Sequence, residues 1–243
     1  MKLLFLSVIA CALFAQEHPA PAPQPPAPAK AEPAKPKPAT KSESLKYEVN
    51  WPSGLSLGEA ILTSAPTPSL LNFAFQMDAS IPGFSVSESV DSRATPEFCS
   101  VLLYKRGVRG SRKVDERTEF DQAKMTATRK TEGGGKSELS TPACAKDALA
   151  FLYFLRRELA AGRLPPQQKV YYGSAYAVSL KFTGTERIVV AGEALEAEKI
   201  TASVKGPVTA ATADLFFAKD AVRTPLLIRV PLKAGQFSLE LIR

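Results

Sequence analysis

From Tyr47 onward the chain alternates apolar and polar positions with a period of two, the mark of strands that bury one face. In the segment 55–63, Leu57, Glu59 and Ile61 share one side while Gly58, Ala60 and Leu62 share the other. The same pattern predicts strands over 47–51, 70–79, 84–92, 98–105, 111–120, 124–129 and 136–139. It resumes over 170–182, 187–190, 194–205, 211–217, 226–232 and 236–242. Gly, Pro and Asp separate these short runs. They therefore predict a mainly β domain, an antiparallel meander curled into an open barrel or a strongly bent sheet.

One segment changes period. Residues 145–159 predict a single α-helix in the middle of the chain, with Asp147 suited to its first turn and Arg156 and Arg157 to its last. Gly162 is a stop signal, and Pro165-Pro166 forbid continuation. Leu149, Phe151, Leu152, Tyr153, Phe154 and Leu155 leave almost no polar face in the middle of this helix. It is expected to be buried as a plug in the core, with Arg157 exposed.

The alternation is preceded by two segments of different character. Lys2, the apolar run from Leu3 to Ala15 and the polar Gln16-Glu17-His18 follow the order of an export signal. The run is about thirteen residues, short of the roughly 20 that a spanning helix needs. Residues 1–15 are thus expected to be a signal peptide, and the protein periplasmic or secreted and not integral to the membrane. Val8-Ile9-Ala10-Cys11 admits a second reading, a lipoprotein anchored at Cys11, although apolar residues follow that Cys where a polar tether is usual. Residues 16–42 are a Pro/Ala/Lys-rich tether with nothing large to bury. Residues 43–243 are then long enough for one well-buried domain.

Charge and cysteine content narrow the function classes. The formal net charge is +7, but Lys2, Lys30, Lys35, Lys37 and Lys41 lie ahead of the domain against only Glu17 and Glu32, so the folded part is less basic. With no basic helical stripe interleaved with aromatics, nucleic acid is not an expected partner. Once the signal is removed, Cys99 and Cys144 are the remaining thiols, a candidate disulfide in an oxidising compartment, or else two separate buried thiols.

The candidate chemistry is sparse. His18 is the sole histidine and lies in the tether, which removes Ser-His, Cys-His and histidine-metal sites from the domain. Gly83-Phe84-Ser85-Val86-Ser87 lacks the second Gly of a nucleophile elbow and has no base. Gly133-Gly134-Gly135-Lys136-Ser137 resembles the end of a phosphate loop, but Lys130 stands where its first Gly belongs, so it reads as a hairpin tip. Asp115, Glu116, Glu119 and Asp121 lack the spacing and central Gly of a calcium loop and read as the solvated edge of a strand. No catalytic residue, metal site or cofactor is expected. The one cluster with binding chemistry is basic: Lys105, Arg106, Arg109, Arg112 and Lys113, a candidate anion site at a hairpin turn, or a solvated turn that protects strand edges.

Four stretches taken together resemble the exported bacterial proteins grouped as domain-of-unknown-function family 3108. They are Tyr47 through Gly54 to Gly58-Glu59-Ala60; Val90-Asp91-Ser92 leading to Thr95-Pro96; Lys146-Asp147-Ala148-Leu149 with Tyr153-Phe154-Leu155-Arg156; and Phe216 to Asp220 with Arg223-Thr224-Pro225-Leu226. The resemblance implies an exported, mainly antiparallel β domain with one central helix, and no established activity. The expected function is non-enzymatic: binding of an envelope lipid, a glycan or an envelope protein in the concavity around the helix. A carboxylate-dependent glycan hydrolase and a purely structural envelope assembly factor are the alternatives.

Overall fold

A computed structural model of the chain describes residues 42–51, 53–81, 84–232 and 235–242. The expected signal peptide, Cys11, His18 and the tether up to residue 41 lie outside the described residues. The first arm of the domain is a meander of β1 (Glu43–Asn50), β2 (Ser56–Pro66), β3 (Leu71–Ile81), β4 (Phe84–Ala94), β5 (Ser100–Arg109), β6 (Arg112–Asp121), β7 (Thr126–Thr131) and β8 (Lys136–Ser140). A short β9 (Lys146–Asp147) leads into helix α1 (Ala148–Ala160). The second arm is β10 (Gln168–Tyr171), β11 (Ala175–Val190), β12 (Glu193–Lys205), β13 (Ala210–Ala218), β14 (Pro225–Leu232) and β15 (Gly235–Ile242).

β15 returns to pair antiparallel with β1, so the two arms form one 15-stranded sheet running from β8 down to β1, then from β15 down to β9. The sheet is open, with β8 and β9 at its ends. Side chains span the gap between the two arms: the Tyr171 hydroxyl donates to the Ser140 carbonyl at 3.1 Å, and the Tyr171 ring meets Phe120 edge-on. β9 and β10 pair in parallel, and the other pairs among the described strands are antiparallel.

The period-two pattern decides which face turns inward. In β2, Ala60 and Leu62 are buried while Glu59 and Ile61 face the other way. Gly58 is required where it stands, because a Cβ there would lie 2.0 Å from the Asp78 carbonyl oxygen on β3. The helix lies against the inward face. Tyr153 stacks on Phe73 at 4.3 Å, Leu155 and Leu159 pack on Ile200 and Phe217, and Phe151 packs on Val170 and Val178. These side chains line the concavity around the helix, where a ligand was expected.

Departures from the expected layout at β11 and at the start of the helix have local reasons. The segment expected to break near Gly184 is one 16-residue strand, β11, which absorbs that glycine as a bulge. The turn falls earlier, at Tyr172-Gly173-Ser174, where Gly173 has φ 74°. The helix starts at Ala148 rather than at 145 because Lys146 and Asp147 are held as β9 against Val170 and Tyr171.

Candidate functional site

Helix α1 is anchored by a network that ties together the four stretches noted in the sequence. Asp147 is its N-cap and is completely buried. One carboxylate oxygen accepts from the Leu149 and Ala150 amides at 2.9 and 3.0 Å. The other accepts from the hydroxyls of Ser92 and Ser100 at 2.7 and 2.6 Å. Burial pushes the Asp147 carboxyl above its ordinary pKa, and these four donors pull it back. At the other end of the helix the Arg156 guanidinium is buried. Its two terminal nitrogens meet the Glu43 carboxylate at 2.6 and 2.8 Å, and its Nε donates to the carbonyls of Val222 and Arg223. Beside it the Tyr47 hydroxyl donates to the Pro225 carbonyl at 2.9 Å. These residues hold the fold together; the sequence places Arg156 in the last turn of the helix and does not foretell this ion pair.

The five basic residues of the expected anion site do not gather. β5 continues to Arg109 and turns sharply at Gly110-Ser111, so the stretch is strand, and alternation divides it between two faces. Lys105, Arg109 and Arg112 share the inward face; Arg106 and Lys113 share the outward one. Lys105 lies 3.4 Å from Glu116 and 3.9 Å above the Tyr172 ring, and Arg109 pairs with Glu88 at 2.7 Å. Arg106 reaches Asp91 at 3.4 Å, while Arg112 and Lys113 are exposed at the hairpin tip.

The acidic quartet also divides. β6 lies between β5 and β7, so it is not a sheet edge. Glu116 points inward against Lys105 and Arg129; burial raises its pKa, but the two cations outweigh burial and leave it below the ordinary value. Asp115 accepts from the Tyr104 hydroxyl at 2.9 Å, Glu119 pairs with Arg117 and Lys130, and Asp121 pairs with Lys124. Among the described residues no group of three His, Cys, Asp or Glu side chains is placed to hold a metal ion. The Gly133 to Gly135 run sits in the β7–β8 turn, closed by the Thr131 amide on the Gly135 carbonyl at 2.9 Å. The sulfurs of Cys99 and Cys144 are bonded, with their Cα atoms 4.5 Å apart.

One arrangement with room for a ligand is on the outward face of the first arm, a groove of about 770 Å³. Its axis is a row that crosses six strands in register: Thr63, Ala74, Asp91, Tyr104, Arg117 and Lys130. The flanking row adds Ala65, Arg93 and Leu102. Small residues on β2 and β3 open one end of the groove, and long charged residues on β4 to β7 wall the other. Tyr104 stands at the centre, held by Asp115 through its hydroxyl and capped by the Arg106 guanidinium 4.9 Å from its ring. Each of these positions is unremarkable in a linear reading, and only the register assembles them.

Comparison with known proteins bears on the fold. The structure is similar to the crystal structure of a beta-barrel-like protein of domain of unknown function DUF1849 from Brucella abortus, with a TM-score of 0.58 and 8% identity over 82% of this chain and 95% of that one. At that identity the likeness extends to the fold and no further. A second alignment, to lipoprotein LppX from Mycobacterium tuberculosis, covers 82% of this chain and 84% of that one at 17% identity, but its TM-score of 0.26 supports no structural conclusion. No curated protein matches the chain. Among the described residues no helix is long and apolar enough to cross a membrane. The family model for a protein of unknown function, DUF3108, matches residues 46–242, and the chain belongs to that family.

Proposed function

We propose that the domain is a non-enzymatic binding module of the bacterial cell envelope, and that its outward groove receives an amphiphilic envelope component. The observation that carries this reading is the composition of the groove. An apolar portion of a ligand can lie on Ala65, Ala74 and Leu102, while an anionic head meets Arg93, Arg117 or Lys130. The export signal read from residues 1–15 supplies the envelope location. The test is titration of the purified domain with a fluorescent fatty acid, alongside native mass spectrometry of protein isolated without detergent. Saturable uptake that Ala74→Trp abolishes without lowering the melting temperature is the expected result. No bound lipid and no saturable uptake would overturn the reading.

A glycan-hydrolase reading draws on the carboxylates of Asp91, Asp115 and Glu132, which line the same groove. Two of them are engaged, Asp91 by Arg106 and Asp115 by Tyr104, and this favours binding over acid–base work. Turnover of peptidoglycan fragments that disappears in Asp91→Asn or Asp115→Asn would establish hydrolysis instead.

A further inference from the structure

We infer that the Cys99–Cys144 bridge is a thiol–disulfide exchange site, attacked at Cys99, with Cys144 leaving as a thiolate held by the Lys146 ammonium. Lys146 is 7% exposed, and its Nζ lies 3.0 Å from the Cys144 carbonyl oxygen and 3.5 Å from the Cys144 sulfur. Its other close neighbour is the Phe154 ring, 4.6 Å away. Two further charges act on it from α1: Arg157 opposes the ammonium and Glu158 favours it. Glu158, however, already accepts from Arg157 and Arg163. In the oxidised protein this buried cation therefore faces a carbonyl dipole, an aromatic face and a neutral sulfur, and burial pushes its pKa down. Reduction would place an anion where the cation lacks one.

The backbone around the bridge is also strained. Cys144 has φ 54° and Phe98, next to Cys99, has φ 65°, values that non-glycine residues seldom adopt. Both cysteines are half-buried, so neither residue is sealed in the core.

The reductant is of the dithiol class. Its first thiolate attacks the Cys99 sulfur and forms a mixed disulfide, and the electron pair of the broken S–S bond goes to the Cys144 sulfur beside Lys146. Its second thiol loses a proton and attacks its own sulfur in the mixed disulfide, and Cys99 leaves as a thiolate that takes up a proton. The protein gains two electrons, and the dithiol ends as a disulfide.

The experiment uses dithiothreitol as the reductant and follows the ultraviolet absorbance of the thiolate during a pH titration of the reduced protein. The expected result is one thiol titrating at least one unit below the roughly 8.5 of a free cysteine. Lys146→Gln should return it to that value or above and slow reduction at neutral pH by roughly threefold or more, while Lys146→Arg keeps the depressed titration. Two ordinary thiols in the parent, or a Lys146→Gln variant that titrates like the parent, would overturn the proposal. If Lys146→Gln fails to fold, the parent titration and Lys146→Arg decide it.

Discussion

The Arg156 guanidinium on α1 and the Glu43 carboxylate on β1 form a two-pronged ion pair, with nitrogen–oxygen distances of 2.6 and 2.8 Å. The same guanidinium accounts for two carbonyls on the β13–β14 connection, so one side chain joins the helix to both arms of the sheet. Removing it leaves a carboxylate and two carbonyls without their donor. Arg156→Ala should lower stability by about 3 to 5 kcal/mol in urea unfolding, whereas Glu43→Gln, at a more exposed position, should lower it less.

The N-cap should prove more sensitive than an ordinary one. Replacing an N-cap side chain typically costs about 1 kcal/mol. Asp147→Ala also strands the hydroxyls of Ser92 and Ser100 in the core, so its expected loss is about 3 kcal/mol or more. Ser92→Ala, which leaves the cap in place, should lose about 1 kcal/mol.

Leucines of α1 should separate by burial. Leu155 is 1% exposed and packs on Ile200 and Phe217, so Leu155→Ala should lose about 2 to 5 kcal/mol. Leu152 is only partly buried and should lose less. Arg157 was expected to be exposed, but it lies over the rings of Phe98 and Phe154 at 4.8 and 5.1 Å. Its replacement by Ala should therefore cost a measurable amount of up to about 2 kcal/mol, read as a shift in the urea midpoint.

Acid should unfold the domain partly through Glu116 and Glu158. Burial raises both, but cation contacts outweigh it and leave their folded pKa values below the ordinary carboxylate value. A depressed folded pKa gives stability that is complete above the unfolded value of about 4.5 and is lost as pH falls through the folded one. Asp147, shifted upward, acts with the opposite sign: its contribution is present at low pH and is lost as pH rises through its folded value. Glu116→Gln should therefore flatten the acid limb of the stability–pH curve, and Asp147→Asn should steepen it.

The disulfide can be counted chemically. Thiol labelling of denatured, unreduced mature protein should find neither Cys99 nor Cys144 free, and reduction should lower stability by about 2 to 5 kcal/mol.

Most of the strands and the helix were legible because burial of one face imposes the period-two and helical patterns directly. The sheet order was not, because nothing local to β1 marks Ile242 and Leu241 as the partners of Lys46 and Tyr47. Function-bearing geometry suffered most. A run of cations looks like a patch until Lys105 and Arg106 turn to opposite faces of β5, and the groove exists only through cross-strand register. Arg156 was hidden for a different reason: a basic residue near a helix C-terminus fits the dipole well enough that its burial leaves no separate trace.

The seam between β1 and β15 sets a timetable for biosynthesis. β1 is the first of the domain's strands to be translated and β15 the last, yet each is the neighbour that completes the other. Until the final strand emerges, the outer edge of β1 has no native partner for its backbone hydrogen bonds. An unpaired strand of that kind can accept the same segment from another nascent copy. Native closure joins the ends of the domain and is therefore slow, and the most vulnerable interval in the molecule's life is the wait before it.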